Sequence, residues 1–428
     1  MDDFEIRDGE MFCEGVALSA IAAEVGTPVY VYSTASMRRQ ALALQEALSD
    51  LADPLIAYAV KANPNSAVIA TFAAAGLGAD VVSGGEYRRA LKAGVPPNRI
   101  VFSGVGKTAD EMRVALETGL FQFNVESFEE AEMLSAVATE MGRVAPMGFR
   151  VNPDVAAGGH AKITTGSAEN KFGIAISEAP AAYARASTLP GLKVQGVAVH
   201  IGSQLTDLSP LERAFTRVGE LLDALRAAGH DMTVADLGGG LGISYDPSQP
   251  PPASPADYGA MVCRLTRDWN ARLVFEPGRL MVGNAGVLMS RVIRVKPGAT
   301  DPFVIVDAAM NDLMRPTLYD AWHNIEAVRP RGTRQRSNVV GPVCETGDTF
   351  ATGRDMDAVA PDDLVVFRTA GAYAAAMAGT YNTRALTPEV LVDGDRWALI
   401  RKRLEVEELI AGDLMPDWLA GCAAEAKG

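Results

Sequence analysis

Eight short apolar segments alternate with amphipathic segments over the first two thirds of the chain, and this alternation restricts the fold more than any other feature. The apolar runs are typical of buried strands, whereas the Ala- and Leu-rich segments between them, such as SFEEAEMLSAVATEMG (127–142), have helical spacing. Strand–helix alternation predicts parallel strands with crossover helices, and eight strands close a (β/α)8 barrel, here over residues 36–280. The eight segments are LIAYAVKAN (55–63), ADVVS (79–83), RIVFSG (99–104), FQFNVES (121–127), APMGFRVNP (145–153), VQGVAVHIG (194–202), TVADLGGG (233–240) and RLVFEPGR (272–279).

Beyond residue 281 the pattern changes, because strand-like runs such as VLMSRVIRV and FVIVDAA continue without long helices. These runs predict a second, mainly antiparallel β domain, a sandwich or barrel-like structure, in residues 281–428. Near the N-terminus, FEIRDGEMF carries a DG turn between apolar flanks, which is typical of a β-hairpin. We therefore assign residues 1–35 to the same β domain.

Composition and charge argue against several classes of function. The formal net charge of −14 disfavours nucleic acid as a partner, and no apolar run approaches the length of a membrane span. The acidic N-terminus has no signal-peptide pattern, and four widely spaced cysteines without a CxxC pair indicate a cytoplasmic location. The four histidines are far apart, so we expect no histidine-rich metal site and no bound metal.

The residues that end the eight strands are the candidates for chemistry, because the active site of such a barrel lies at the carboxyl ends of its strands. Lys61, which ends the first strand, has two open interpretations. Its ammonium either reaches past apolar neighbours to water, or it is kept from water so that the amine acts as a nucleophile. In chain order the strand-end residues are Lys61, Ser83, Ser103–Gly104, Glu126, Asn152, His200, Gly238–Gly240 and Glu276–Arg279.

Two loops indicate a phosphate site. DLGGGLGI (236–243) follows the seventh strand and EPGR (276–279) follows the eighth, where barrels of this type often bind phosphate. Glycines let backbone N–H groups approach phosphate oxygens, and Arg279 supplies a fork of donors; a tight turn without a ligand is the alternative. A phosphate site facing Lys61 suggests pyridoxal 5′-phosphate (PLP), attached to Lys61 as a Schiff base.

Three further residues fit a PLP site, and each has a structural alternative. Glu276 is suited to pair with the ring nitrogen and keep it protonated, or it forms an ion pair with Arg279 at the rim. His200 is suited to lie against the ring face, or it is a hydrogen-bonded rim histidine. Ser203 is suited to donate a hydrogen bond to phosphate, or it caps the next helix.

Six motifs, in order and spread over almost the whole chain, resemble those of the fold-type III PLP-dependent decarboxylases, specifically the diaminopimelate decarboxylase family. They are YAVKANPN, HIGSQ, DLGGGLGI, EPGR, DAAMNDLMRPTLY and GPVCETGD. No single motif decides the resemblance, but the ordered set is highly specific. It implies a PLP barrel with a β domain, and decarboxylation of meso-2,6-diaminopimelate to L-lysine and CO2, the last step of lysine biosynthesis.

The resemblance also implies roles for the residues at matching positions around the cofactor. Lys61 matches the Schiff-base lysine, His200 the histidine stacked on the ring, and Glu276 the partner of the ring nitrogen. The phosphate-binding glycines are matched by Gly239 and Gly240.

Further matching positions concern the substrate. Arg279 matches a residue that contacts the phosphate or a substrate carboxylate, and Arg315 and Tyr319 match residues that grip the substrate. Tyr373 matches a tyrosine near both cofactor and substrate. A buried arginine such as Arg315 suits the distal carboxylate of diaminopimelate, which ornithine and lysine lack.

Two adjacent residues imply a shared active site. Cys344 matches the proton donor, and a thiol with an ordinary pKa near 8.5 is able to donate a proton and regain it near neutral pH. Glu345 matches the contact to the distal amino group of the substrate. In the family both reach the pocket of the other subunit, so the resemblance implies a homodimer.

Other functions stay open. They are a relative acting on another amino acid or a polyamine precursor, a non-catalytic PLP carrier, and a metal-dependent barrel hydrolase. The motifs MNDLMRP and CETGD disfavour the first of these functions, and the presence of Cys344 disfavours the second. The scarcity of histidine disfavours the third.

Two loops add to the comparison with the family. GAYAAAMAGTYNTR departs from the family pattern at Ala374, Gly379 and Thr380, which puts the packing of this loop in question. HAKITTGSAENKFGI (160–174) resembles a mobile loop near the active site, with an ordinary surface loop as the alternative.

Overall fold

The computed structural model describes residues 3–156 and 171–420, so most of the loop at 160–174 lies outside the described residues. At the N-terminus the predicted hairpin forms, and Asp8 and Gly9 make its turn with φ of 51° and 80°. With a third strand it builds a small antiparallel sheet, followed by helix α1 (Leu18–Val25). The sheet consists of β1 (Phe4–Arg7), β2 (Glu10–Cys13) and β3 (Val16–Ala17).

Eight parallel strands form the closed barrel that the sequence predicts. Each predicted segment overlaps one strand, although the second and sixth strands begin one and two residues before their segments. The first four strands are buried along their whole length, as expected of strands covered on both faces. Pairing of the fourth and fifth strands and of the last and first closes the barrel. The strands are β5 (Leu55–Ala59), β6 (Gly78–Val81), β7 (Ile100–Phe102), β8 (Gln122–Val125), β9 (Ala145–Asn152), β11 (Leu192–Val199), β12 (Val234–Asp236) and β13 (Arg272–Phe275), and β10 (Ile174–Ala175) pairs in parallel with the end of β9.

Amphipathic helices surround the barrel, and several begin at a Ser or Thr whose hydroxyl accepts a backbone N–H of the first turn. Thr108 and Ser254 form full capping boxes with Glu111 and Asp257, which fixes where those helices start. The helices are α2 (Thr34–Ala47), α3 (Ser66–Ala74), α4 (Gly84–Lys92), α5 (Ala109–Thr118), α6 (Phe128–Glu140), α7 (Ala179–Ala186), α8 (Ser209–Ala227) and α9 (Pro255–Thr266).

A second, mainly antiparallel sheet follows, with short helices only, as predicted. In this sheet β14 pairs antiparallel with β15, β19 and β4, whereas β20 runs parallel to β4. Its strands are β4 (Val29–Ser33), β14 (Gly286–Lys296), β15 (Phe303–Val306), β16 (Ile325–Ala327), β17 (Arg334–Val340), β18 (Thr349–Asp357), β19 (Leu364–Phe367), β20 (Glu389–Asp393) and β21 (Arg396–Arg401). The helices are α10 (Arg279–Val282), α11 (Arg315–Tyr319), α12 (Val406–Ile410) and α13 (Asp417–Ala420).

The N-terminal segment contributes only β4 to the second sheet, because β1 to β3 pair among themselves. Hydrogen bonds from β4 to both β14 and β20 nevertheless place that strand in the interior of the sheet. The division into residues 36–280 and residues 1–35 with 281–428 stays a prediction. Within the described residues, we find no helix with the length and apolar character needed to cross a lipid bilayer.

Candidate active site

A cavity of about 660 Å3 opens at the carboxyl ends of the barrel strands and extends to residues that follow the barrel. Its walls come from both parts of the chain, because Arg315, Tyr319 and Tyr373 line it beside the strand-end residues. Of the twelve residues with a predicted site role, eight line this cavity. They are Lys61, His200, Ser203, Glu276, Arg279, Arg315, Tyr319 and Tyr373.

Alternation along the strands explains why polar groups gather at this end of the barrel. Residues two apart on a strand share a face, so every second side chain of each strand points into the interior of the barrel. The base of the interior is apolar and includes Leu55, Val234 and Val274. Asp236 and Glu276 lie two residues beyond Val234 and Val274, so they point to the same interior face, at the mouth of the barrel.

Lys61 is anchored by a carboxylate that the sequence analysis did not select. Its Nζ lies 2.7 Å from Oδ2 of the fully buried Asp80, on the neighbouring strand β6. The 34% of the side chain that stays exposed faces the cavity that Lys61 lines. Burial alone would lower the pKa of Lys61, but the negative charges of Asp80 and Glu276 outweigh it and raise this pKa.

Glu276 belongs to a buried carboxyl pair with Asp236. Asn124 connects them, since its Nδ2 lies 2.7 Å from Asp236 Oδ2 and 3.2 Å from Glu276 Oε1, and Ser103 donates to the same Glu276 oxygen at 3.2 Å. Burial, followed by the charges of Asp236 and Asp80, raises the pKa of Glu276 well above its usual range. Glu276 therefore binds its proton more tightly than an exposed carboxyl group does. It is not the rim ion pair with Arg279 that the sequence left open, because the two share no ion pair among the described residues.

His200 is neutral and held by the glycine loop. Burial, followed by the charges of Arg150 and Lys61, lowers its pKa well below the usual value. Its Nδ1 accepts a hydrogen bond from the N–H of Gly239 at 3.2 Å. A Cβ at Gly239 would lie 2.1 Å from the Glu276 carbonyl oxygen, and one at Gly240 would lie 2.5 Å from that of Gly202, so both loops approach too closely for any side chain.

Arg279 is buried, and the side chains that its guanidinium contacts directly are uncharged. Its Nη2 donates to Ser203 Oγ at 3.1 Å, its Nη1 donates to the hydroxyl of Tyr245, and its guanidinium lies 4.7 Å from the ring centroid of Tyr373. Ser203 is therefore not a helix cap, since α8 begins at Ser209 after Leu208. Among the described residues the buried Nε of Arg279 has no acceptor, so the site has capacity for an anion.

Arg315 presents a second buried guanidinium to the cavity. It lies 4.4 Å from the ring centroid of Tyr245 and donates to Nε2 of His323 at 3.1 Å. No carboxylate within the described part of the chain forms an ion pair with it. Burial, followed by the charge of Arg279, lowers its pKa, which is the cost of a guanidinium without a counter-ion.

The loop that departs from the family pattern is packed against the site. Tyr373 takes a φ of 54° and donates its N–H to Ala62 O at 2.8 Å, next to Lys61. Ala374 has φ and ψ of −116° and −84° and is buried. Gly379 exchanges hydrogen bonds with Asn311 at 2.9 and 3.1 Å, which anchors the far side of the loop.

Four predicted site residues do not line the cavity. Gly239 and Gly240 lie behind its wall, and the N–H of Gly239 is already used by His200. Cys344 and Glu345 are exposed in the segment between β17 and β18, where the Cys344 N–H donates to Asn382 Oδ1 at 3.1 Å. The phosphate role of the glycines and the catalytic role of Cys344 and Glu345 stay predictions.

The sequence analysis missed polar residues inside the strands. Asp80, Asn124 and Asp236 contact the predicted residues, yet each lies two or three positions before the strand-end residue that was selected. Counting in steps of two from the apolar interior positions would have found Asp236 from Val234. Of the strand-end residues that were selected, Ser83 caps α4 and Glu126 pairs with Arg150 at 3.0 Å.

The charges of the cavity fit PLP. At one end the carboxyl groups of Asp80, Asp236 and Glu276 lie near a single ammonium, that of Lys61. The carboxyl groups outnumber the ammonium, so they are able to compensate a second positive charge, that of a protonated ring nitrogen. At the other end the unsatisfied Nε of Arg279 and the side chain of Ser203 suit a phosphate. In the described residues, no group of three or more His, Cys, Asp or Glu side chains is arranged to hold a metal ion.

Comparisons with known proteins agree with this geometry. The family model described as the pyridoxal binding domain of pyridoxal-dependent decarboxylases matches residues 34–283. Curated diaminopimelate decarboxylases of Zymomonas mobilis and Pseudomonas aeruginosa are 54% and 52% identical, over 98% and 97% of this chain and 100% of each relative.

Solved structures extend the similarity to the whole fold. The M. jannaschii diaminopimelate decarboxylase in complex with L-lysine has a TM-score of 0.94 at 35% identity, covering 98% of this chain and 99% of its own. The Helicobacter pylori enzyme complexed with L-lysine has a TM-score of 0.88 at 38% identity, covering 92% and 98%. The chain therefore belongs to the diaminopimelate decarboxylase family of pyridoxal-dependent decarboxylases.

Proposed function

We propose that this chain decarboxylates meso-2,6-diaminopimelate to L-lysine and CO2, with PLP attached to Lys61. The observation that carries the proposal is the division of charge in one cavity. Buried carboxylates surround Lys61 at one end, and two arginines without carboxylate partners among the described residues line the other. When bound, PLP supplies the electron sink that takes up the electron pair left by CO2.

The residues around Lys61 prepare the cofactor end of the site. Asp80 fixes the position of the Lys61 amine through the contact of 2.7 Å. Glu276 would pair with the ring nitrogen and keep it protonated, and Asn124 orients its carboxyl group together with that of Asp236. The neutral His200 offers an uncharged ring face, so it does not compete with the ring nitrogen for negative charge.

The arginines orient the substrate and the phosphate. Arg279 meets a phosphate or carboxylate oxygen, and Arg315 meets the distal carboxylate of the substrate. Tyr319 and Tyr373 line the cavity beside them and restrict water. A diamine or an amino acid without the distal carboxylate would leave Arg315 buried and unpaired, which disfavours ornithine and lysine as substrates.

Proton return requires a second copy of the chain in this proposal. Decarboxylation leaves an electron pair on the substrate carbon, and one proton from the Cys344 thiol completes L-lysine. Cys344 and Glu345 are exposed and lie outside the cavity of their own chain, which suits residues that reach a neighbouring subunit. We accordingly propose a homodimer with shared sites, located in the cytoplasm.

The first experiment combines spectroscopy with product analysis. The protein is purified with PLP, its visible absorbance is recorded, and lysine and CO2 are followed after adding diaminopimelate, ornithine, arginine or lysine. We expect a band from lysine-bound PLP that Lys61→Ala loses and Lys92→Ala, an exposed lysine on α4, keeps. Product from diaminopimelate alone supports the proposal; a band without turnover of any substrate would refute the decarboxylase activity.

The shared site is tested by mixing two inactive variants. Lys61→Ala lacks the cofactor lysine, and Cys344→Ala is expected to lose about 10²–10⁴-fold in kcat. If the sites are shared, mixed dimers contain one intact site, and random mixing restores about a quarter of the wild-type activity. Activity that stays at the level of the separate variants would rule out sharing.

A further inference from the structure

Arg315 is held in the cavity by two uncharged aromatic side chains. Its guanidinium lies over the face of Tyr245 at 4.4 Å, and the imidazole of His323 accepts its Nη1–H at 3.1 Å. The rings of Tyr245 and His323 in turn meet edge to face, with centroids 5.5 Å apart and planes at 81°. The three side chains therefore form one packed unit, and both Arg315 and His323 are buried in it.

The hydrogen bonds of His323 define which nitrogen carries its proton. A guanidinium has no acceptor, so the His323 Nε2 that faces Arg315 must offer its lone pair. On the other side Nδ1 lies 2.8 Å from the carbonyl oxygen of Arg368, which only accepts, so Nδ1 carries the proton. The two contacts together require a neutral imidazole in a single tautomer.

We propose that His323 is a positioning residue that aims Arg315 at a substrate carboxylate while leaving its positive charge uncompensated. This inference rests on the proposed function and names what gives the site its preference for a distal carboxylate. His323 restrains the guanidinium through a hydrogen bond without supplying a counter-charge. The full positive charge of Arg315 is then available to the ligand.

A carboxylate in the place of His323 would not serve this purpose. An Asp or Glu there would form an ion pair with Arg315, and the substrate carboxylate would have to compete with it. The surroundings of His323 are also cationic rather than acidic. Arg354 donates to its backbone carbonyl at 2.8 Å, and the charges that act on its ring come from Arg315, Arg279 and Arg354.

Binding of L-lysine and of cadaverine to the PLP-loaded protein tests the proposal. L-lysine bound as the product, with its ε-amino group toward Lys61, places its one carboxylate at the Arg315 end, whereas cadaverine has no carboxylate. Calorimetric titration of the wild type is expected to favour L-lysine. His323→Leu removes the acceptor, so we expect L-lysine affinity to fall about 10- to 100-fold, as for a lost hydrogen bond to a charged group, with cadaverine affinity unchanged.

Two polar replacements separate positioning from simple packing. His323→Gln retains an acceptor oxygen and is expected to keep L-lysine affinity within about threefold of wild type. His323→Asp supplies a carboxylate and is expected to weaken L-lysine binding as His323→Leu does. His230→Leu is the matched control, since His230 lies far from the cavity near Ser187.

The outcomes distinguish this inference from the proposed function. If the wild type does not prefer L-lysine to cadaverine, the proposed role of Arg315 fails, and with it the proposed substrate. If the wild type shows the preference but His323→Leu weakens both ligands equally or neither, the inference about His323 is overturned. Should His323→Leu not fold, equal L-lysine affinities for His323→Gln and His323→Asp would overturn it.

Discussion

A methyl group at Gly239 is expected to disable the site although it touches no charged side chain. The added Cβ would lie 2.1 Å from the Glu276 carbonyl oxygen, whereas ordinary contact begins at 3.4 Å, so the two loops must separate by about 1.3 Å. The Glu276 loop carries Arg279 three residues later, and the N–H of Gly239 holds His200. The movement therefore displaces Glu276 at the lysine end of the site and Arg279 at the anion-binding end.

Overpacking of this size costs about 1–3 kcal/mol, so Gly239→Ala is expected to weaken PLP binding about 5- to 150-fold. A displacement of about 1 Å also lowers kcat by about 10²-fold in the loaded enzyme. The assay is a PLP titration followed by visible absorbance, with kcat at saturating PLP. Gly85→Ala is the control, since its Cβ would meet nothing closer than 3.7 Å. Unchanged PLP affinity and kcat in Gly239→Ala would refute the close approach of the two loops.

Three further predictions follow from the same geometry. Tyr245→Phe removes the acceptor of Arg279 but keeps the ring under Arg315, so PLP titration should show about tenfold weaker binding while the preference for L-lysine over cadaverine persists. Asp80→Asn removes the nearest negative charge and should lower the pKa of Lys61, which the pH dependence of PLP attachment measures; an unchanged profile would contradict it. His323 has its pKa lowered from 6.5 to about 3 by burial and by Arg315, so the unfolded chain takes up a proton first and stability falls as pH drops through this range. Between pH 6.5 and about 3, the unfolding midpoint of the wild type should therefore fall more steeply with decreasing pH than that of His323→Gln. Equal slopes would refute the lowered pKa of His323.

The barrel was predictable because apolar segments and amphipathic segments alternate regularly over this part of the chain. Every strand segment is a short apolar run, and several of the helices between them begin at a hydroxyl cap such as Thr108 or Ser254. The pairing of the N-terminal strands was less predictable. Apolar alternation shows that β1 to β3 are strands, but the partner of an edge strand depends on contacts distant in sequence, and only β4 joins the second sheet.

The residues of the site likewise divide into those that were predicted from the sequence and those that were not. His200 and Glu276 follow strands directly and Lys61 lies two residues beyond one, so the rule that barrel strands end at the active site was enough to select them. Asp80 and Asn124 lie within strands and required the alternation of interior positions to be followed inward. Their signal was present as polar residues in buried runs, and it was overlooked because only strand ends were considered.

Tyr245 and His323 had no signal in the sequence. Tyr245 follows the glycine loop by a few residues and His323 follows a short helix, and such positions are usually surface loop. Their importance comes from contacts with Arg315 and with the Arg368 carbonyl, which is 45 residues away along the chain. Contacts of this kind are determined by the docking of the barrel mouth against the second sheet.

The distribution of charge in the cavity also determines how a ligand must lie in it. Three carboxyl groups beside one lysine repel each other, and the pKa of Glu276 is raised first by burial and then by the charges of Asp236 and Asp80. At the opposite side Arg279 and Arg315 share Tyr245 and likewise repel each other. A cofactor with a cationic ring nitrogen and an anionic phosphate reduces both repulsions only when the ring nitrogen lies at the carboxyl end and the phosphate at the arginine end. The reverse orientation would add like charge at each end. Only a ligand in the first orientation gains binding energy by compensating the charges at both ends, so the charges of the cavity favour the geometry that the reaction needs.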